Sequence, residues 1–300
     1  IFLKKYINIV QIFLLFSSIN KNLLVVTLEG IPVSHRSYQM NHSLDGKKII
    51  ITGGTSGIGQ ATALMAAEAG ADIALCGLSE EGAEKTIQGI QKFGKNSFFQ
   101  VFDIGDLNAA RKFVNDSIKF LGGLDGLFNN AGTNFWHGVS NATIDQIQRC
   151  MDVNFYSAWA ISQEAYPALK DNHGGVIVNM SSIHAERTLP GVFPYNVSKA
   201  AMVAMTKSMA LEWGKDNIQA LAIQPALIQT PLAQEYFDKF EDPKAELLRL
   251  ESHYPLGRSG KPEDIASLVV FLLSKQNKFI SGQSILVDGA ISVLMESPDN

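Results

Sequence analysis

The chain has 300 residues, 46% of them apolar, with a formal charge of −4 and a sequence pI near 5.9. That length can bury one large core, and without a long Lys/Arg run it has no electrostatic claim on nucleic acid, so a small neutral or polar partner is expected. Two cysteines, Cys76 and Cys150, stand outside any Cys-x-x-Cys pattern, which argues against a disulfide framework or zinc site and for a reducing cytoplasm; the six scattered histidines predict no metal centre.

In chain order, residues 1–39 read as a leader: Lys4 and Lys5 precede an apolar stretch at 7–19 that Asn8, Gln11, Ser17 and Ser18 interrupt. It is too short for a membrane span and lacks a small-residue cleavage site, so no membrane is expected. The first methionine is Met40, and counting from it leaves 300 − 39 = 261 residues. The expectation is a native start there, with the leader disordered or not part of the native protein. Short β-branched runs then alternate with amphipathic stretches, the signature of parallel strands joined by crossover helices. Strands are predicted at 48–52, 72–76, 97–102, 124–128, 175–180, 218–223 and 284–287. Helices are predicted at 58–69, 80–93, 107–121, 143–169, 194–213 and 263–274, with a polar excursion at 231–251. No Pro/Gly/Ser-rich linker divides the series. The fold class is therefore α/β, one doubly wound Rossmann-type domain over residues 40–300, with a lid at about 231–254 and the ligand beyond the carboxyl ends of the strands.

Between the first strand and helix lies Thr52-Gly53-Gly54-Thr55-Ser56-Gly57-Ile58-Gly59. Glycines let the backbone turn tightly and approach a ligand, and the helix start offers free N–H groups and a positive dipole end to a pyrophosphate. Ser56 can add a hydroxyl. The acid that often holds the ribose hydroxyls about 20 residues on is missing, since Gly77-Leu78 stand there. Neither this loop nor 77–81 contains Lys or Arg to take a 2′-phosphate, so NAD is expected over NADP.

Tyr195 and Lys199, four apart, share one helical face. Lowering a phenol's pKa by about three units takes roughly 4 kcal/mol of differential stabilisation, which Lys199 and an oxidised nicotinamide could supply together. Tyr166 and Lys170 have the same spacing, but with Pro167 inside the motif and at the end of a helix; that pair is read as structural. Tyr195 instead lies thirteen residues after Ser182, whose hydroxyl can hold the reacting oxygen beside the phenol.

These residues resemble the classical short-chain dehydrogenase/reductase family over nearly all of 44–293. The likeness rests on the 52–59 loop, Asn129-Asn130-Ala131-Gly132, Asn154, Ser182, and Tyr195 with Lys199, in the family's order and spacing. It implies an NAD(P)-dependent oxidoreductase moving a hydride between nicotinamide and a secondary alcohol or carbonyl carbon. Ser182 would polarise the substrate oxygen, Tyr195 exchange its proton, Lys199 bind the nicotinamide ribose and tune the phenol, and Asn154 support a proton-relay water. Gly53, Thr55, Ser56, Gly57, Ile58 and Gly59 would take the pyrophosphate, Asp103 and Ile104 the adenine, and Asn130, Ala131 and Gly132 the middle of the cofactor. Pro225, Ile228 and Thr230 would face the nicotinamide amide. The resemblance also implies a homotetramer built through the long helices.

Three positions depart from the family: Ala226 and Ala290 replace glycines, and Leu221 an asparagine. Crowding by the Ala226 methyl leaves open a catalytically weak nucleotide-binding regulator. For the substrate, Asn134, Trp136, His184 and Glu186 suggest one aromatic wall with several polar groups, suited to a sugar or polyol. In the competing structural reading Trp136 packs under the lid and His184 caps a turn. Tyr236, Phe237 and Phe240 could instead line an acyl groove, making a 3-oxoacyl thioester reductase the alternative.

Overall fold

A computed structural model describes residues 43–295, and the expected leader and the Met40 start lie outside them. Strand β1 (Lys48–Thr52) leads to α1 (Gly57–Glu68), β2 (Asp72–Gly77), α2 (Glu80–Lys92), β3 (Ser97–Val101), α3 (Leu107–Leu121) and β4 (Gly126–Asn129). Helix α4 (Ile144–Met151) runs through a π turn, Asp152–Tyr156, into α5 (Ser157–Asp171), then β5 (Gly175–Met180), α6 (Tyr195–Trp213) and β6 (Ile218–Pro225). Two short helices follow, α7 (Pro231–Phe237) and α8 (Pro243–Glu251), before α9 (Pro262–Leu273) and β7 (Ser284–Val287).

The strands form one parallel sheet in the order β3-β2-β1-β4-β5-β6-β7. Buried on both faces, its central strands are largely apolar rather than alternating, with Asn129, Asn179 and Gln224 among the buried polar exceptions. In β1, Ile49 and Ile51 pack with Ala63 and Ala66 of α1 and Val269 of α9. Ile50, between them, faces Phe113 of α3 and Ile161 of α5. Side chains of period two thus serve two separate cores. The order reverses between β1 and β4, where α/β sheets open a ligand crevice.

Two expectations change. The long predicted helix is broken by the π turn around Asn154, a register shift that leaves no mark in hydrophobic period. The polar excursion is two helices, each announced by a cap residue and proline: Thr230 accepts from the Ala233 N–H and Asp242 from the Ala245 N–H, with Pro231 and Pro243 in the first turns. Ala226 is not among the residues at positive φ, whereas Ala290 sits in the left-handed region at φ 70°.

Candidate active site

The glycine loop turns through positive φ at Gly53 and Gly57, at 65° and 52°. Ser56 opens α1 without capping it, and the Gly57, Ile58 and Gly59 N–H groups meet no acceptor among the described residues. Three free donors at an uncapped helix start fit a dinucleotide's pyrophosphate. Gly59 has no room for a side chain, since a Cβ there would collide with the Gly53 carbonyl. Thr55 has turned sideways: its side chain fills the space left by Gly77 and Gly82.

Four hydrogen bonds stitch this loop to the one after β4. Thr52 Oγ1 accepts from the N–H groups of Asn130 and Ala131, both at 2.9 Å, and Asn130 Nδ2 donates to the carbonyls of Thr52 and Gly53 at 3.0 and 3.1 Å. Asn130 therefore braces the loop, leaving Gly132 at the opening. A Cβ on Gly132 would stand 3.0 Å from Asn154 Oδ1 and 3.4 Å from Lys199 Nζ, so this glycine lets an amide and an ammonium close in from two helices.

Asn154, 1% exposed, grips Thr133: its Oδ1 accepts from the Thr133 N–H at 2.9 Å and its Nδ2 donates to the Thr133 carbonyl at 3.0 Å. Lys199, 4% exposed, donates to the Met180 carbonyl at 2.9 Å and lies 5.5 Å from the centre of the Tyr195 ring. Burial lowers its pKa to about 8. Burial also pushes the Tyr195 phenol up to about 12, and the Ser182 hydroxyl pulls the other way. Without the cofactor, burial outweighs the Ser182 hydrogen bond. Ser182, also buried, accepts from the His184 N–H at 3.2 Å, opening a short 3-10 turn over Ile183–Ala185.

Segment 135–138 pairs with 191–195. Trp136 bridges Pro194, the His137 N–H donates to the Phe193 carbonyl at 2.9 Å, and the Tyr195 N–H donates to the Phe135 carbonyl at 3.3 Å. A file of rings results: Tyr195 to His184, His184 to Trp136 and Trp136 to Tyr236, with centroids 6.0, 6.3 and 5.2 Å apart. Beyond Trp136 lies a cavity of about 190 Å³ bounded by Asn134, His137, Leu232, Glu235, Tyr236 and Lys239. Asn134 and Trp136 are thus on its wall. His184 is one ring nearer the phenol, neutral because burial lowers its pKa, and Glu186 accepts from Gln224 Nε2 at 3.1 Å. Sequence reasoning passed over Gln224, 1% exposed in β6, over Glu235 of α7 and over Lys239 in the turn that follows that helix.

The remaining predicted residues divide. Thr230 caps α7 and its methyl stands against Gly57, so lid and glycine loop touch there. Pro225 ends β6, while the Ile228 side chain is buried in the core and fills the space at Gly260. Asp103 stands exposed past β3, with Ile104 turned into the core. Tyr166 and Lys170 lie elsewhere, both bound to Asp216 just before β6, at the amino-terminal edge of the sheet.

The sequence profile of the family described as enoyl-(acyl carrier protein) reductase matches residues 53–292. L-rhamnose 1-dehydrogenase (NAD(P)(+)) from Sphingomonas sp. strain SKA58 is 32% identical over 257 residues, covering 84% of this chain and 99% of that protein. Among solved structures, a dehydrogenase/reductase from Sinorhizobium meliloti 1021 superposes with a TM-score of 0.76 at 31% identity, over 84% of this chain and 97% of its own. A 7α-hydroxysteroid dehydrogenase, complexed with NADH and 7-oxo glycochenodeoxycholic acid, gives 0.78 at 31% identity over 83% and 95%.

Proposed function

The chain belongs to the short-chain dehydrogenase/reductase family and is an NAD(P)-dependent oxidoreductase acting on CH–OH groups, and from that premise we propose that it interconverts a polyhydroxylated alcohol and its carbonyl compound, using Tyr195, Ser182 and Lys199. The observation that carries the site assignment is the meeting of Lys199, Asn154 and Gly132 beside Tyr195, across the crevice from the free N–H groups of α1.

In the oxidation direction, Ser182 Oγ would hold the substrate hydroxyl and Tyr195, as the phenolate that Lys199 and a bound oxidised nicotinamide together favour, would take its proton as the carbon gives up hydride; reduction reverses both transfers. A bound nicotinamide would supply the hydride acceptor, and the positive charge of its oxidised form would favour the phenolate. Lys199 reinforces that charge, and its tie to Met180 keeps the ammonium against the ring. Asn154 fixes Thr133, and through it the loop bearing Trp136. Gly53 and Ser56 to Gly59 would hold the pyrophosphate. NAD is favoured over NADP: Glu80 and Glu81 open α2 just past β2, where a 2′-phosphate would need a cation.

A polyhydroxy substrate suits the cavity, which sets the Trp136 and Tyr236 rings beside Asn134, His137, Glu235 and Lys239. Rings take the apolar face of a sugar, while the polar groups exchange hydrogen bonds with its hydroxyls. The rhamnose-oxidising relative supports this class. An acyl chain gains little from so polar a lining. Assembly as a homotetramer is supported by Tyr156, Trp159, Val197 and Leu211, exposed on the long helical stretches. A cytoplasmic location suits the buried free thiols Cys76 and Cys150.

The test is nicotinamide absorbance with NAD and NADP across sugars, polyols and 3-oxoacyl thioesters. The expected result is turnover of a sugar or polyol with NAD. Better turnover of a thioester, or a tenfold preference for NADP, would overturn the corresponding part.

A further inference from the structure

On the reading that the carboxyl ends of the strands hold a dinucleotide, we propose that Arg149 is a positioning residue for its adenine end, locking the Asp103 carboxylate so that a 6-aminopurine is accepted there over a 6-oxopurine. Topology places that end. The free N–H groups of α1 mark the pyrophosphate and Tyr195 lies beyond β5, so the nicotinamide half runs over β4 and β5. The adenosine half must run the other way, over β2 and β3. Asp103 stands two residues past β3, its side chain 49% exposed.

Its carboxylate is held from two sides. Oδ1 accepts from the Gly105 N–H and from Arg149 Nη2, both at 2.9 Å, and Oδ2 accepts from the same Nη2 at 2.7 Å. The guanidinium reaches it across Gly105, where a Cβ would collide with Nη1. Arg149 comes from α4, five residues before Asn154 on the helical stretch that continues through the π turn. The adenine brace and the Asn154 grip on Thr133 are therefore borne by one rod.

The contact holds the Asp103 carboxyl below the usual carboxylate range, so it only accepts hydrogen bonds at working pH. Arg149 Nη1 and Nε donate to nothing among the described residues. A fixed carboxylate acceptor complements the 6-amino donor of adenine. Hypoxanthine puts an oxygen where adenine has the amino group, and that oxygen would face the carboxylate. An exposed ion pair adds little to stability by itself; its effect here is that the carboxylate is already oriented when the ligand arrives.

Calorimetric titration with NAD and with nicotinamide hypoxanthine dinucleotide tests the role. Wild type should bind NAD the more tightly. Arg149→Met should weaken NAD about tenfold, the scale of one charge-assisted hydrogen bond, and narrow the gap between the two dinucleotides, with the melting temperature little changed. Arg149→Lys should restore part of the gap. In an Asp103→Ala background Arg149→Met should cost nothing more, because it acts through that carboxylate. Equal or tighter NAD binding by Arg149→Met, or the same loss for both dinucleotides, would overturn the role of Arg149 alone. Wild type binding neither dinucleotide would overturn the reading of the site as well.

Discussion

Tyr195 with Lys199 and Tyr166 with Lys170 are built alike: each ammonium lies over its phenol ring, 5.5 Å from the centroid in the first pair and 5.8 Å in the second. Their surroundings send them apart. Tyr166 donates to Asp216 Oδ2 at 2.6 Å, and Lys170 reaches Oδ1 of the same carboxylate at 3.3 Å. Asp216 raises the pKa of both groups, so the phenol keeps its proton and the amine its charge. Among the described residues no carboxylate pairs with Lys199, and burial drives its pKa down rather than up. Four-residue spacing aims two side chains at one another, but what they can do with a proton depends on what else they touch.

The comparison breaks if the two phenols behave alike. Tyr195→Phe should cut turnover by about 10²–10⁴-fold, the usual contribution of a positioned acid–base group, while NAD binding persists. Tyr166→Phe should leave turnover within about twofold and the melting temperature little changed. Similar losses in the two variants, measured as kcat on one substrate, would refute the distinction.

The lysines sharpen it through pH. The unfolded chain keeps the Lys199 proton to the usual 10.5 and the folded chain only to about 8. This group's contribution to stability is therefore full above 10.5 and lost as pH falls through 8. Lys199→Met removes the dependence, so the variant should gain on wild type by about 3 kcal/mol as pH drops from 10.5 to 8, followed by denaturant unfolding. Lys170 has a raised pKa, so its contribution is full below the usual 10.5 and declines as pH rises beyond it. Lys170→Met should show no gain over 8 to 10.5; a gain there would erase the contrast.

Most of the sheet was legible because its strands are largely apolar runs and the crossover helices amphipathic, as with Ile49 to Ile51 and with α3. Ser182, Tyr195, Lys199 and Gly132 were legible as an ordered set of motifs. The π turn was not, since one extra residue per turn barely disturbs the hydrophobic pattern around Val153 and Ile161. Nor was the turned-aside Thr55, which depends on the space at Gly77 and Gly82, nor the Asp103–Arg149 contact across 46 residues. The burial that raises the phenol without cofactor is likewise a property of the packed chain, not of Tyr195 and its neighbours in sequence.

The left-handed backbone at Ala290 gives the protein engineer a place to add robustness without touching chemistry. An alanine held at φ 70° carries a steric penalty of about 1–2 kcal/mol that glycine escapes, partly offset by glycine's greater freedom when unfolded. Deleting that single methyl, Ala290→Gly, should therefore raise the melting temperature by a degree or two at unchanged turnover. A fall in melting temperature would show that the offset outweighs the relief. Success would supply a sturdier background in which damaging active-site changes remain foldable enough to measure.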